Sequence, residues 1–252
     1  MKTRLPGRSP PADMIHLMIL YTNNNKQQFQ NKKLNKMKKI ITITIVASVF
    51  STAAFAQKAT FGFNGGLTMS NYKTKGDDDT YTSKSKTGFT AGIVTDIPLS
   101  KSISFQPALR FTQKGGIEKE NFFDEDYKLI TTFNYIEVPA NIIYKTNSAK
   151  TKFYIGAGPS IAFGLSGEGK VESGGESAST KVKFGSGEDD DFKGLDLGAN
   201  MLAGCMFKNG VSISMNYNMG FSNLFIDGDK DNYLHNRYWS IGLGYMLKGK
   251  KK

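Results

Sequence analysis

Hydrophobic and polar residues alternate strictly along several stretches of this chain. In residues 211–221, VSISMNYNMGF, every second position from Val211 to Phe221 is apolar, and the positions between them hold only Ser, Asn or Gly. A period of two predicts a β-strand with two unlike faces. The apolar face would meet a core in a water-soluble protein. It would meet lipid in an outer-membrane barrel, whose polar face lines the lumen.

The same alternation recurs in seven further stretches, which begin at Ala59, Gly88, Ser102, Asn134, Lys152, Gly194 and Arg237. Together with residues 211–221 they predict eight strands, each close to the ~9–11 residues that a tilted strand needs to cross a bilayer. No stretch after Gln57 has the period of an amphipathic helix. The predicted fold class is therefore all-β.

The connections between these stretches alternate between long and short. The short ones are residues 98–101, 146–150 and 208–210; the long polar ones are residues 71–86, 115–132, 166–191 and 223–236. This sorting is typical of an antiparallel up-and-down transmembrane β-barrel with short periplasmic turns and long extracellular loops. Because an even number of strands places both termini on one side, we expect the termini in the periplasm.

The polar face carries mostly Gly, Ser, Thr and Asn, whereas a water-facing surface would more often carry Lys and Glu. Small polar residues suit a narrow lumen, and eight strands enclose only enough space for side chains or one small ligand. We therefore expect a porin-like architecture without a wide pore. Aromatic residues near the strand ends are expected to form girdles at the membrane surface: Tyr72, Tyr144, Phe153, Tyr217, Tyr238, Trp239 and Tyr245.

Residues 37–57, MKKIITITIVASVFSTAAFAQ, have the three parts of a secretory signal peptide. Two lysines follow Met37, an apolar run extends from Ile40 to Phe50, and Ala54-Phe55-Ala56 precedes the predicted cleavage between Ala56 and Gln57. Residues 1–36 then form either a leader from a start site assigned too early or an extended basic region. The predicted organisation is residues 1–36, a signal peptide at 37–56 and a barrel domain at 57–252.

The formal net charge of +11 is concentrated before the predicted cleavage site, where residues 1–56 carry +8 and leave +3 for the rest. The whole-chain charge is therefore no argument for nucleic acid as a partner. The single cysteine, Cys205, excludes an internal disulfide, and we interpret it as a small hydrophobic residue. The expected partners are outer-membrane lipid and other envelope proteins, and we expect a monomer without cofactor or metal.

Charged residues on the predicted lumen face form a candidate cluster: Asp96, Arg110, Lys114, Glu137 and Asp196. Arg110 and Glu137 belong to neighbouring antiparallel strands, so they could meet inside the lumen. One interpretation is a structural ion pair that fills and orders the lumen. The other is a gate or a ligand contact.

Four segments resemble the PorT-like family of small bacterial outer-membrane β-barrels: FQPALRFTQKGG (105–116), YIEVPANIIYK (135–145), YIGAGPSIAFG (154–164) and GFSNLF (220–225). The resemblance extends from about Ala59 to Leu247. It implies an outer-membrane barrel but no particular role, since unrelated functions share one fold. Ala108 and Asn216 stand where the family pattern often has an acidic and a basic residue, respectively.

Three hypotheses on function remain open at this point. The first is a non-enzymatic outer-membrane barrel with a structural, surface-contact or assembly-accessory role. The alternative is a carrier or narrow channel for a small ligand, which could be apolar. The third is a secreted soluble barrel.

The sequence contains few candidate catalytic or metal-binding residues. The only rim pairing of the His/Ser type is His235 with Ser222, for which no acidic partner is identifiable. Acidic clusters at residues 76–79, 187–191 and 227–231 could bind Ca²⁺ or Mg²⁺. In the last of these, Asn232 and Tyr238 replace the glycine and glutamate of a calcium loop. We interpret all three clusters as solvated loop charge.

Overall fold

The computed structural model describes residues 59–76, 79–122, 125–148, 150–187 and 190–247. The predicted leader, the signal peptide and its cleavage site between Ala56 and Gln57 lie outside these ranges. The strands are β1 (Thr60–Gly76), β2 (Asp79–Thr82), β3 (Lys86–Pro98), β4 (Ile103–Phe122), β5 (Glu125–Lys145), β6 (Thr151–Ser173), β7 (Glu176–Val182), β8 (Phe184–Gly185), β9 (Phe192–Lys193), β10 (Leu195–Phe207), β11 (Val211–Gly220) and β12 (Tyr233–Met246).

Eight of these strands form a closed antiparallel ring in the order β1, β3, β4, β5, β6, β10, β11, β12. The ring closes where β12 pairs with β1, with Leu67 opposite Ile241. Strand β2 pairs with β1, and β7 pairs with β6, both outside the ring of eight. Strands β8 and β9 form a short parallel pair. The predicted eight-stranded up-and-down barrel is confirmed. Among the described residues, no helix has the length and apolar character needed to cross a membrane.

Two unlike faces follow from the alternation in sequence. Apolar side chains on the outer face are about half exposed or more, as for Leu67, Ile155 and Leu243. Their neighbours along each strand point inward and are mostly polar and buried, as for Thr68 and Ser240. A water-soluble protein of this kind would hide its apolar face in a core. Here the apolar side chains form a belt around the outside of the ring.

Three barrel strands are much longer than the sequence predicted. Residues 115–132 were expected to be a long polar loop, but β4 and β5 remain paired through most of this range, as far as Phe122 opposite Glu125. Within 166–191, β6 and β7 form a hairpin whose two turn residues, Gly174 and Gly175, have φ values of 57° and 87°. Such left-handed positions favour glycine and match the twist of paired strands. The polar composition of both segments concealed this strand pairing.

A row of polar side chains on the outer face marks the end of the apolar belt at the long-loop end of the barrel. Gln113 Nε2 donates to Asn134 Oδ1 at 3.0 Å, and Asn134 Nδ2 donates to Ser166 Oγ at 3.1 Å. On another part of the ring, Arg237 Nε donates to Asn71 Oδ1 at 2.7 Å. We call these five residues the polar collar. The paired segments of β4, β5, β6 and β7 beyond the collar form an extended sheet.

Candidate functional site

Arg110, Glu137 and Tyr238 form a hydrogen-bonded triangle inside the barrel. Arg110 Nη2 and Nε donate to Glu137 Oε1 at 2.7 and 3.2 Å. Arg110 Nη2 also donates to the Tyr238 hydroxyl at 2.9 Å, and that hydroxyl donates to Glu137 Oε1 at 2.8 Å. All three residues are almost completely buried. Register places them here, because Arg110 lies directly opposite Glu137 on the neighbouring strand.

Lys114 lies four residues beyond Arg110 on β4, on the same inward face. Its ammonium group connects two carboxylates. Its Nζ is 3.0 Å from Asp196 Oδ2 and 3.4 Å from Glu137 Oε2. The same ammonium lies 4.8 Å from the centre of the Tyr135 ring. Two cations and two carboxylates therefore balance in charge within one buried network. Such pairing is what makes ionised groups tolerable away from water.

Amide side chains continue this network across the lumen. Arg110 Nη2 also donates to Asn200 Oδ1 at 3.1 Å, and Asn200 Nδ2 donates to Asn141 Oδ1 at 3.1 Å. Asn236 Nδ2 donates to Asp196 Oδ2 at 3.3 Å and lies 3.2 Å from the Tyr135 hydroxyl. Since these residues come from β4, β5, β10 and β12, the network links strands on different sides of the ring. We call it the lumen network.

Aromatic side chains cover the lumen network on the side of the long loops. Phe133 packs edge-to-face against Phe184 and Phe192, with ring centres 5.6 and 5.2 Å apart. Phe184 and Phe192 belong to the short pair β8–β9; β8 lies within the predicted third long loop, residues 166–191, and β9 follows directly after it. Phe225 stacks on Phe192 at 6.0 Å. Part of a predicted surface loop thus folds over the barrel mouth.

Asp96 was predicted to join the same charge cluster, and the structure corrects this. It lies near the short-turn end, where Lys145 Nζ approaches Asp96 Oδ1 at 2.5 Å and donates to Ser104 Oγ at 3.1 Å. Gln106 Nε2 is 3.5 Å from the same carboxylate oxygen. The alternation gives the face of Asp96 correctly but not its depth. Arg110 lies opposite Gly92 of β3. Asp96 lies four residues further along β3, which is two inward positions closer to the short turn.

Two aromatic residues assigned to the girdles also lie elsewhere. Tyr238 is buried in the lumen network, and Tyr72 is buried at the long-loop end, where its hydroxyl donates to Glu118 at 2.8 Å. Their parity explains this, because Tyr238 shares a face with the inward Ser240, and Tyr72 with the inward Ser70. The outward Trp239, in contrast, is exposed and packs against Tyr217 at 4.4 Å between ring centres.

The half of the lumen nearer the short turns is a cavity of about 800 Å³. Arg110 and Asn141 line its inner end, and Asn64, Tyr154 and Ser214 line its walls. None of the residues that cover the lumen network on the other side contributes to it. The barrel interior thus has three levels: an aromatic cover, the lumen network and this cavity, which we call the vestibule.

The rim pairing of His235 and Ser222 is not formed. The His235 ring stacks on Tyr233 at 4.5 Å, while Ser222 Oγ accepts a hydrogen bond from the Leu197 amide at 2.8 Å. Burial lowers the pKa of His235 from its ordinary value.

Asp229, in the predicted acidic cluster at residues 227–231, shapes a turn. Its Oδ1 accepts hydrogen bonds from the backbone amides of Asp231 and Asn232 at 2.8 and 2.9 Å.

The described ranges contain no group of three or more His, Cys, Asp or Glu side chains placed to hold a metal ion. The predicted acidic clusters at 76–79 and 187–191 fall partly outside those ranges.

The sequence analysis did not identify four residues that make polar contacts inside the lumen: Tyr135, Asn200, Tyr238 and Lys145. Their inward parity was readable from the strand pattern, but their partners depend on register.

Comparison with known proteins gives a family. A model of the outer membrane protein beta-barrel domain matches residues 55–226, which is more than half of the chain. A search of curated proteins found no matching relative.

The similar solved structures have low sequence identity to this chain. The attachment invasion locus protein Ail of Yersinia pestis is 18% identical, with 75% of this chain and 99% of that one covered and a TM-score of 0.39. Neisserial surface protein A is 15% identical, with 75% and 99% covered and a TM-score of 0.39. OprG of Pseudomonas aeruginosa is 13% identical, with 76% and 97% covered and a TM-score of 0.42. These values transfer no role to the chain.

Proposed function

The chain belongs to the outer membrane protein beta-barrel domain family, and from this premise we propose a non-enzymatic surface-contact role for it. In this proposal the barrel is a rigid anchor in the outer membrane, and the extended sheet beyond the polar collar contacts other molecules. The single observation that carries the proposal is the lumen network. Paired charges that cross the middle of the closed ring tie its strands together, which suits an anchor whose projecting surface makes the contacts.

The extended sheet is well suited to contact. From Lys114 to Phe122, strand β4 continues nine residues, which is ~30 Å along a strand. Beyond the collar, Leu129, Val171 and Ala178 lie side by side on adjacent strands. Val171 is 42% exposed. An apolar row on a sheet that projects beyond the lipid-facing belt is a feature that partner surfaces can recognise.

We also propose an orientation, with the short turns and the termini in the periplasm and the extended sheet outside the cell. The short connections and the sorting of loop lengths support it. The four PorT-like segments support assignment to that narrower family. A carrier role for an apolar ligand is less well supported, since charged and amide side chains such as Asp96, Arg110 and Asn141 line the vestibule beside apolar ones.

The first experiment tests the membrane barrel itself. The chain would be expressed from Met37, outer membranes isolated, and boiled and unboiled samples compared on an SDS gel. We expect a membrane-bound band whose mobility shifts on boiling, because closed barrels resist SDS until heated. A protein that stays in the soluble fraction and shows no shift would support the secreted soluble barrel instead.

Cysteine labelling tests the orientation. In a Cys205→Ala background, Ser177→Cys on β7 and Lys208→Cys in a short turn each introduce one exposed thiol. A membrane-impermeant maleimide added to intact cells should label position 177 and not position 208. Labelling at position 208 alone would reverse the orientation and place the extended sheet in the periplasm.

Photo-crosslinking tests the contact role. A photoreactive phenylalanine analogue would replace Val171 on the extended sheet or, as a matched control, Ile241 on the lipid-facing belt. We expect a discrete crosslinked protein band in cells from position 171 and none from position 241. If both positions give the same pattern, the extended sheet is not a protein-contact surface.

A further inference from the structure

The vestibule extends from the short turns to the lumen network. Its inner end is formed by Arg110 and Asn141, both of which belong to the lumen network, and its outer rim is formed by the short turns. Its volume of about 800 Å³ lies within the range of cavities that hold small organic ligands. A molecule entering from the short-turn end would therefore meet polar side chains of the lumen network.

The charge of the rim is strongly positive. Four exposed lysines line it: Lys101, Lys150, Lys152 and Lys208. Within the described part of the chain, none of the four forms an ion pair. Asp96 is the one carboxylate among the described residues of the lining, and it is already paired with Lys145. A cleft whose charges have one sign concentrates ions of the opposite sign, and its low-dielectric walls focus this effect.

The walls supply hydrogen-bond donors in addition to charge. Ser104, Ser212, Ser214 and Asn216 line the vestibule together with the side chains of Tyr154 and Asn64. The buried Oδ1 of Asn64 has no hydrogen-bond partner in the described structure, but it is an acceptor, so only the Nδ2 of this side chain can donate to an oxyanion. Hydroxyl and amide groups of this kind orient an anion that lysines attract from a distance.

We propose that the vestibule is a binding site for a small multivalent oxyanion that carries phosphate or carboxylate groups. The rim lysines attract the anion, and the hydroxyl and amide groups of the walls hold it below the lumen network. The same chemistry is offered by a soluble phosphate compound and by the headgroup of an anionic lipid in the adjacent leaflet. The inference does not depend on the contact role, so a negative crosslinking result at Val171 leaves it unaffected.

The test uses pyrophosphate as the probe and the folded full chain in zwitterionic detergent micelles. Calorimetric titration at constant ionic strength measures its Kd. Thermal unfolding should show a rise in Tm of about 3 °C when pyrophosphate is roughly tenfold above Kd. The triple variant Lys150→Gln, Lys152→Gln, Lys208→Gln should raise the Kd at least about tenfold, because the three charges lie at the rim.

A matched control removes three exposed lysines at the other end of the barrel: Lys84→Gln, Lys119→Gln, Lys181→Gln. This variant has the same net charge as the vestibule variant and should keep the wild-type Kd. A Lys→Arg version of the vestibule variant should also keep it, and heat-dependent gel mobility establishes that every variant is folded. No pyrophosphate binding, or equal weakening in both triple glutamine variants, would overturn the site.

The source of the oxyanion is distinguished in nanodiscs. The pyrophosphate Kd would be compared in discs of phosphatidylcholine and of phosphatidylglycerol. A weaker apparent affinity in phosphatidylglycerol, abolished by the vestibule substitutions, supports the site with a lipid headgroup as its occupant. An unchanged Kd supports the site with a soluble anion.

Discussion

Arg110 and Glu137 lie directly opposite each other on β4 and β5, and their closest atoms, Nη2 and Oε1, are 2.7 Å apart. Both side chains are almost completely buried. Loss of one partner of such a pair leaves an uncompensated buried charge, which typically costs ~3–5 kcal/mol. We expect Arg110→Ala and Glu137→Ala each to reduce the free energy of unfolding by about this amount.

The double variant should lose less than the two single variants together, with a coupling of at least about 2 kcal/mol. Denaturant unfolding in lipid vesicles measures all four members of the cycle. Glu137→Ala combined with Ser212→Ala, which lies in the vestibule, is the control and should be additive within about 0.5 kcal/mol. Additivity in the Arg110–Glu137 cycle would show that the pair contributes no mutual stabilisation.

The Tyr238 hydroxyl is the third corner of the triangle and both donates and accepts there. Tyr238→Phe keeps the ring but leaves Glu137 Oε1 without one donor, so we expect a loss of ~1–3 kcal/mol. Tyr217→Phe is the matched control on the outer face, where the ring packs on Trp239. It should change the stability by less than ~0.5 kcal/mol. Equal effects at the two positions would contradict the buried role of the Tyr238 hydroxyl.

The fold was predictable because alternation is a local signal. Each strand reports which of its residues face inward, and this gave the correct face for Arg110, Lys114, Glu137, Asp96 and Asp196. Depth along the barrel axis is not a local property, because it depends on how far each strand is shifted against the next. Asp96 was therefore grouped with Arg110, although the register places it beside Lys145.

The extended sheet and the aromatic cover could not be read from alternation alone. The segments around Gly174 and Gly175 are rich in Ser, Gly and charged residues, which equally describe a loop. Phe184 lies in the same segment and Phe192 directly after it, and only the folded chain places both over Phe133. In both cases the deciding contacts are between residues whose proximity no short sequence window encodes.

Trp239 is the single tryptophan of the chain and lies on the outer face two residues after Arg237 of the polar collar. Its side chain is 44% exposed, which in a membrane means contact with lipid. We expect brominated acyl chains to quench its fluorescence, most strongly with bromine near the headgroups. As a control, Phe184→Trp in a Trp239→Phe background moves the indole into the aromatic cover. Quenching there should be weak, and equal quenching of the two proteins would contradict the assignment of inner and outer faces.

Glu172 on the extended sheet lies between two ammonium groups, Lys170 Nζ at 2.8 Å and Lys128 Nζ at 2.9 Å. Hydrogen bonds from Lys170 and then Lys128 lower the pKa of Glu172 to about 2. Because the folded-state pKa lies below the ordinary value of ~4.3, these contacts stabilise the hairpin above that pH. Their contribution declines as the pH falls from there through about 2.

Carbon-detected NMR titration of the Glu172 carboxyl group in the full chain measures this pKa directly. Lys128→Gln removes one of the two donors and should move the pKa of Glu172 back toward its ordinary value, while the outward Lys84→Gln should leave it unchanged. A carboxyl group that titrates near 4.3 in the unaltered protein would mean that neither ion pair persists in solution. The β5–β6 part of the extended sheet would then be held by its backbone ladder alone, since Lys128 remains opposite Glu172 in the strand register whether or not their charges pair.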